Sequence, residues 1–283
     1  MKKIRIAGVP EHFNFPWHMA MEESAFEDRG IEIEWIEVPE GTGRMCKMLE
    51  VKETDLAIIL TEGITKSIVE GNPAKIVQGY ISSPLLWGIH VAAGSAYQDL
   101  AELEGTKAAI SRYGSGSHLM AYVLAEGQHW NTAELSFEVI HTLSGAVKAL
   151  QNGKADYFMW EHFTTKPLVL DGVFRRLADC PTPWPCFVIA ANNNFLEKDT
   201  QALRHVLEII NRYTREFKMI PSIDRTLANR YNLDLQDIRD WLGITQWTQE
   251  QLDIQTIDIV QNTLFNLNLI SKQLDSKEIL TNL

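Results

Sequence analysis

Short apolar segments alternate with longer amphipathic segments through most of the chain, and this alternation constrains the fold more than any other sequence feature. Residues 56–60, Leu-Ala-Ile-Ile-Leu, form a continuous apolar run that is typical of a strand covered on both faces. The same reasoning predicts strands at residues 4–9, 31–38, 56–60, 75–80, 86–93, 107–111, 135–141, 155–160 and 187–191. Strands that alternate with helices predict an α/β protein, with helices on both faces of a parallel sheet.

The amphipathic segments predict the helices. Those between the strands are expected at residues 16–29, 42–52, 61–71, 117–126 and 145–152. After residue 198 helices dominate, at 199–220, at two positions between 224 and 242, and from 248 onward. Thr248-Gln249-Glu250-Gln251 has the pattern of a capping box, which predicts a helix start at Thr248.

One segment is repeated at a constant offset of 101 residues. In each copy a leucine lies six residues before an aspartate and a glycine lies sixteen residues after it: Leu49, Asp55 and Gly71, then Leu150, Asp156 and Gly172. Both copies are predicted to form a helix, a turn, a short buried strand and a second helix. The repeat therefore predicts two similar lobes.

Two proline-containing segments mark the predicted crossings between these lobes. They are Ser82-Ser83-Pro84 and residues 180–186, Cys-Pro-Thr-Pro-Trp-Pro-Cys. Proline lacks an N–H donor, so neither segment can be a central strand. We therefore predict a discontinuous first lobe, residues 1–83 plus 187–283, and an inserted second lobe, residues 84–186. The ligand cleft is expected between the lobes, outside the carboxyl ends of the strands.

Composition excludes several classes of function. The chain of 283 residues carries 26 Lys and Arg against 37 Asp and Glu, a net charge of −11, which disfavours a nucleic-acid partner. It has no basic run and no apolar stretch of the ~18 residues that a membrane helix needs. Residues 4–10 form an alternating strand and not the apolar core of a signal peptide, so we expect a cytoplasmic location. A periplasmic or lipid-anchored location is expected instead if a leader has been removed.

The sequence also lacks the patterns of a metal or nucleophile site. Its three cysteines, Cys46, Cys180 and Cys186, have neither CxxC spacing nor an even count. No HExxH, GxxxxGK[ST] or GxSxG motif is present. We expect no metal, no cofactor and no catalytic residue.

Several short segments together carry a family resemblance. They are Val9-Pro10, residues 29–34 (Arg-Gly-Ile-Glu-Ile-Glu), residues 55–59, residues 100–107, Ser111 with residues 114–117, and residues 153–156. In order and spacing over residues 1–220 they resemble the two-lobed (type II) periplasmic substrate-binding proteins of nitrate, sulfonate, taurine and thiamine-pyrimidine ABC transporters. The resemblance implies a small-molecule ligand and an ABC transporter permease as partner.

The family also contains an enzyme branch, the fungal thiamine-pyrimidine synthases, which consume a histidine of their own chain. Their Lys and His pair corresponds to Ile59 and Gly63 here, and their cysteine-rich cluster corresponds to residues 182–186. Because both features are absent, the resemblance favours a non-enzymatic role and leaves an enzymatic one open. The alternative is a cytoplasmic vitamin-precursor biosynthesis enzyme, or a sensor, on the same fold.

The strongest candidate for a ligand site is a glycine- and serine-rich turn between a predicted strand and helix. Backbone N–H groups at a helix start attract anions, and glycines let a ligand approach the backbone. The turn consists of Ser111, Arg112, Tyr113, Gly114, Ser115, Gly116 and Ser117. The alternative interpretation is an ordinary turn with a serine cap.

The other candidates follow predicted strands. His12, Phe13 and Asn14 are expected to form an aromatic wall with polar groups, or else a helix cap and lobe core. Thr61 is expected to cap a helix, and Glu62 and Glu161 to accept hydrogen bonds from a ligand amine or to favour a helix dipole. Trp160 and Trp184 are expected to flank the ligand, with a packing role as the alternative for Trp184. The predicted function is capture of a small polar or anionic solute, with aromatic or pyrimidine-like solutes included.

Overall fold

The computed structural model describes residues 1–281. Residues 1–83 contain β1 (Lys2–Gly8), α1 (Phe15–Glu22), β2 (Ile31–Glu37), α2 (Thr42–Glu50), β3 (Leu56–Leu60), α3 (Thr61–Val69) and β4 (Ala74–Ile81). Residues 84–183 contain β5 (Leu86–Ala92), β6 (Lys107–Ile110), α4 (Gly116–Gly127), β7 (Ser136–Val139), α5 (Leu143–Gln151), β8 (Tyr157–Glu161), α6 (His162–Leu170) and β9 (Phe174–Pro181). The remainder contains β10 (Phe187–Asn192), α7 (Asn193–Glu216), α8 (Ile223–Tyr231), α9 (Leu235–Ile244), α10 (Ile254–Asn266) and α11 (Ser276–Ile279).

The chain divides into two units. The first comprises Met1–Ser83 and the chain from Trp184 onward, and the second comprises Pro84–Pro183. Residues 184–186 therefore lie in the first unit, not in the second as predicted. The reason is local hydrogen bonding within the first unit: the Cys186 N–H donates to the Ser83 carbonyl at 3.2 Å, and the Thr61 N–H donates to the Cys186 carbonyl at 3.0 Å.

The first unit is built on a five-stranded sheet in the order β2-β1-β3-β10-β4. β1 runs parallel to β2 and β3, whereas β10 runs antiparallel to both of its neighbours, β3 and β4. The second unit has a sheet of the same size in the order β7-β6-β8-β5-β9. There β6 runs parallel to β7 and β8, and β5 runs antiparallel to β8 and β9. The α/β class is confirmed, but the sheets are mixed, so the predicted all-parallel sheet is wrong.

Both copies of the repeat fold as predicted, and their aspartates make the same backbone contacts. Asp55 accepts a hydrogen bond from the Arg5 N–H at 2.9 Å, and its own N–H donates to the Arg5 carbonyl at 3.0 Å. Asp156 does the same with Lys107, at 2.8 Å for each bond. Each aspartate thus joins the start of its buried strand to the neighbouring parallel strand, which explains why the repeat centres on this residue.

Several predicted helix boundaries are wrong. α1 ends at Glu22, and only a 3₁₀ turn, Glu27–Arg29, follows it before β2. α7 begins at Asn193 because the Asn192 side chain caps it, accepting from the Phe195 N–H at 2.8 Å. α10 begins at Ile254, capped by Asp253, and not at the predicted Thr248.

Gly145, in the first turn of α5, lies against backbone of the preceding segment. A Cβ at this position would be 2.0 Å from the carbonyl oxygen of Ile140. We expect Gly145→Ala to lower the free energy of unfolding by about 2 kcal/mol, because the rigid backbone must shift. The matched control is Gly127→Ala at the end of α4, where a Cβ meets nothing within 4 Å. Urea unfolding of both variants checks this, and equal stabilities would contradict the predicted clash.

Candidate functional site

In the second unit, the predicted serine-rich turn lies between β6 and α4. Ser111, Ser115 and Ser117 are all buried. The Ser117 hydroxyl accepts from the Ser111 N–H at 3.0 Å, and the Ser115 and Ser117 hydroxyls are 3.1 Å apart. Ser115 is the N-cap of α4, its hydroxyl accepting from the His118 N–H at 3.4 Å. The turn therefore combines the cap of a 12-residue helix with a cluster of hydroxyl groups.

The intervening residues of the turn have different environments. Gly114 donates its N–H to Nδ1 of His118 at 3.1 Å, and burial lowers the pKa of that imidazole. Arg112 and Tyr113 are exposed, and the Tyr113 ring contacts the edge of His118 at 5.3 Å between centroids. The neutral His118 therefore fixes the turn by accepting from its backbone. Helix geometry leaves the first N–H groups of α4, on Gly116 and Ser117, without intrahelical partners.

Trp87, in β5, is a residue of this site that the sequence reasoning missed. Its side chain is buried, with 5% of the residue exposed, and its indole Nε1 has no hydrogen-bond partner in the described range 1–281. The ring packs on the turn so closely that a Cβ on Gly116 would be 2.9 Å from it. Its ring contacts Trp160 edge to face at 6.4 Å. A buried indole N–H normally has an acceptor, so this donor beside the start of α4 is left unsatisfied by the described residues.

The structure gives Trp160 and Glu161, at the end of β8, different environments. Trp160 is partly exposed and stacks on Phe158 at 5.4 Å, so one side of its ring belongs to the core of the second unit. Glu161 is the N-cap of α6. Its Oε2 accepts from the N–H and hydroxyl of Thr164 at 2.7 and 2.8 Å. Burial raises the pKa of Glu161, and Thr164 opposes that rise.

In the first unit, His12, Phe13 and Asn14 form a 3₁₀ turn between β1 and α1 and are all buried. Phe13 packs on Phe187 and Trp241, with both centroids at 5.1 Å. His12 lies 4.1 Å from the Trp241 ring, and burial lowers its pKa to about 3. These contacts match the core alternative considered for this segment. Trp241 of α9 was not predicted to lie here, because a helix periodicity does not reveal which strand a helix packs against.

Asn14 does not cap α1 through its side chain. Its Nδ2 instead donates to the Val9 carbonyl at 2.8 Å, which ties the turn to the end of β1. Its Oδ1 is buried and has no hydrogen-bond partner among residues 1–281. Asn14 therefore stands at the N-cap position of α1, as the alternative predicted, but its side chain does not make the capping bond.

Thr61, Glu62 and Trp184 lie together in the first unit. Thr61 is the first residue of α3 and not its cap, because its hydroxyl donates to the Pro185 carbonyl at 2.5 Å. Trp184 is buried and donates its indole N–H to Oε2 of Glu62 at 2.9 Å. Within residues 1–281, Oε1 of Glu62 has no hydrogen-bond partner, and burial raises the pKa of this carboxyl to about 7.

Residues 1–281 contain no candidate metal site, no disulfide and no membrane-spanning helix. No group of three His, Cys, Asp or Glu residues in this range could hold a metal ion. Cys46, Cys180 and Cys186 are buried and form no disulfide. No helix in the described part of the chain is long and apolar enough to cross a bilayer.

The chain is similar to known proteins in sequence and in fold. The profile of the Ca3427-like PBP family matches residues 87–179. The Candida albicans CA3427 gene product, described as exhibiting the generic periplasmic binding protein fold, is similar with a TM-score of 0.88 and 23% identity, over 100% of this chain and 98% of that one. The chain has the periplasmic-binding-protein fold. This confirms both the predicted fold and the resemblance stated from sequence.

Sulfonate-binding proteins are among the other structures with this fold. The alkanesulfonate-binding protein SsuA from Xanthomonas axonopodis pv. citri, bound to MOPS, has a TM-score of 0.82 and 18% identity, covering 99% of this chain and 98% of its own. SsuA from Escherichia coli, an aliphatic sulphonate binding protein, has a TM-score of 0.78 and 19% identity, with 99% and 97% covered. No curated protein matches the sequence.

Proposed function

We propose that the protein binds a small anionic solute of the sulfonate class and serves as the substrate-binding component of an ABC-type transporter. The observation that carries the proposal is the turn at the start of α4, where buried serines meet the unpartnered Trp87 indole N–H. A sulfonate has three acceptor oxygens and one delocalised charge. Hydroxyl, indole and backbone N–H donors at a helix start match that chemistry.

The net charge of −11 does not oppose binding of a small anion. Backbone and side-chain dipoles act over a few ångströms, whereas charges farther away than ~8 Å are screened by salt at physiological ionic strength. Sulfonate binding by two proteins with the same fold supports the choice of anion. A membrane permease would be the partner that receives the solute.

Ser115→Asp tests the anion site with little risk to the fold. Aspartate is as good an N-cap as serine, so α4 should still form. Its carboxylate adds a negative charge at the turn, and we expect the affinity for propane-1-sulfonate to fall at least about tenfold, or ~1.4 kcal/mol. Isothermal titration calorimetry at 0.15 M salt measures this.

Asn131→Asp is the matched control. Asn131 caps the 3₁₀ turn after α4 through a bond from the Ala133 N–H at 3.1 Å, so this variant also places one new carboxylate at a cap. It lies beyond the opposite end of the same helix, and we expect unchanged affinity. Equal affinities for native protein and Ser115→Asp would rule out the turn as the anion site, and absence of sulfonate binding to the native protein would rule out the sulfonate class.

A further inference from the structure

The two sheets of the protein have four edge strands, β2 and β4 in the first unit and β7 and β9 in the second. Three of these edges are protected. β2 carries three glutamates, and β9 carries two arginines and an aspartate. β4 is covered by the segment that follows α9, for example by the bond from the Thr248 N–H to the Tyr80 carbonyl at 3.0 Å. Charged side chains and covering segments prevent an edge from pairing with another chain.

β7 differs from the other three edges. Its sequence is Ser-Phe-Glu-Val, with a single charge at Glu138, and it pairs with β6. Within residues 1–281, no element other than β6 forms backbone hydrogen bonds with Ser136–Val139. Every residue of the strand is partly exposed. An open edge with so little charge is a template for another strand.

An aromatic cluster lies along this edge, on the face of the sheet that α4 covers. The ring centroid of Phe137 lies 4.6 Å from that of His118, and 5.7 and 6.1 Å from those of Tyr122 and Tyr113. Tyr113 is 66% exposed, and Phe137 and Tyr122 are partly exposed. Aromatic rings are enriched at protein–protein contacts, so this cluster and the open edge indicate an interaction surface.

We infer that the partner at this surface is a second copy of the chain, whose β7 pairs antiparallel with this β7 about a two-fold axis. Side chains alternate between the faces of a strand, so a two-fold axis perpendicular to the sheet must pass through a residue. The two central residues of β7 are Phe137 and Glu138. An axis through Glu138 would place two carboxylates opposite each other, which is destabilising.

An axis through Phe137 gives a self-complementary contact. The two Phe137 rings then lie opposite each other, and aromatic cross-strand pairs stabilise a sheet. Glu138 lies opposite Ser136 of the second copy, so the carboxylate can accept a hydrogen bond from the hydroxyl. Val139 lies opposite Leu135, which directly precedes the strand and is extended. No like charges oppose each other in this register, and each favourable pair apart from the central one occurs twice.

The paired segment is short, so we expect a weak dimer with a micromolar dissociation constant. Sedimentation velocity of the native protein from about 1 to about 200 µM, at physiological salt, should show a reversible shift from monomer to dimer. A monomer at every concentration overturns the inference. Species that grow beyond the dimer also overturn it, because a two-fold contact is closed.

Charged substitutions at Phe137 test the register, since this residue is expected to face its own copy. Phe137→Lys and Phe137→Glu should each raise the dissociation constant at least about tenfold, because each places two like charges opposite each other. An equimolar mixture of the two variants should form a heterodimer at least about tenfold more tightly than either variant associates with itself. A mixture that sediments as the sum of its components overturns the Phe137 axis.

Phe265→Lys and Phe265→Glu are the matched controls. Phe265 is 45% exposed in α10 of the first unit, and both variants should dimerise like the native protein, separately and mixed. Circular dichroism melts show whether each variant is folded.

A second test leaves the aromatic cluster intact and serves if the Phe137 variants fail to fold. Ser136→Glu places a carboxylate opposite Glu138 of the second copy and should raise the dissociation constant at least about threefold, since Lys107 lies beside it in β6. Adding Glu138→Ser exchanges the two residues and should restore native dimerisation. Equal association of the native protein and Ser136→Glu, or no recovery in the double variant, overturns this pairing.

Discussion

The stability of the Glu62→Gln variant, relative to that of the native protein, should increase as the pH rises from 4.5 to 8. Burial raises the pKa of this carboxyl from 4.5 to about 7, so between these pH values the native state holds a proton that the unfolded state has released. The contribution of this carboxyl to the free energy of unfolding is therefore greatest at low pH, and it decreases as the pH rises through this window. A difference of 2.5 pKa units corresponds to about 3 kcal/mol, and glutamine does not titrate.

The measurement is a set of urea unfolding curves for both proteins from pH 4.5 to 8. The free energy of unfolding of Glu62→Gln, minus that of the native protein, should increase by about 3 kcal/mol across this range. Any constant loss from the unpaired amide shifts the whole curve and does not alter its slope. The Glu70→Gln variant, which removes an exposed carboxylate, is the control for the loss of one charge. A flat difference for Glu62→Gln would show that the carboxyl is not desolvated.

The sequence-based fold prediction was most accurate where local pattern decides structure. Buried strands such as β3 and the repeat around Asp55 and Asp156 follow from apolar runs and turn residues. Strand direction does not, because the alternation of side chains is the same whichever way a neighbouring strand runs. This is why the antiparallel β5 and β10 could not be anticipated from periodicity.

β9 was missed for a related reason. It is one of the two edge strands of its sheet, and it carries Arg175, Arg176 and Asp179 in an eight-residue segment. Edge strands of natural proteins often carry charged residues, which prevent further strand pairing but also remove the apolar signal. The strand is defined by its pairing with β5, a contact between residues about 90 positions apart in the chain.

The false capping box at Thr248 shows tertiary hydrogen bonds overriding a local motif. The Thr248 N–H donates to the Tyr80 carbonyl at 3.0 Å, and the Gly79 N–H donates to the Glu250 carbonyl at 2.8 Å. The segment thus runs extended along β4, an edge strand of the first sheet, and forms hydrogen bonds with the backbone groups that β4 exposes at that edge. A sequence window of four residues contains no information about that open edge.

The candidate site also contains one part that the local sequence predicts and other parts that it does not. The turn from Ser111 to Ser117 has a local signal, glycines and serines before a helix, and was predicted. The burial of Trp87 against Gly116 and the unequal environments of Glu62 and Glu161 depend on contacts across the fold. Sequence reasoning placed both glutamates at helix starts but could not assign the difference of two positions, N-cap for Glu161 and second helical residue for Glu62, that makes only Glu161 a cap.

His12→Phe should reduce the loss of folding stability at acid pH. The imidazole is buried between Phe13 and Trp241 with 5% of the residue exposed, and no group in residues 1–281 hydrogen-bonds to its Nε2. Its pKa falls from 6.5 to about 3 because burial disfavours the charged form. Below pH 6.5 the unfolded state therefore binds a proton that the native state does not bind. The free energy of unfolding decreases as the pH falls, until both states are protonated below pH 3.

Phenylalanine keeps the aromatic packing and does not titrate. The free energy of unfolding of the variant, minus that of the native protein, should therefore increase by about 3 kcal/mol when the pH falls from 7 to 4, which is 2.5 units below the ordinary pKa of histidine. Urea unfolding at both pH values measures this gain, with His205→Phe at a partly exposed position of α7 as the control. Burial is the only influence identified on His12, so the acid sensitivity follows from desolvation alone. Parallel stability curves for His12→Phe and native protein would mean that the ring is hydrated, and the packing of α9 over this turn would then be wrong.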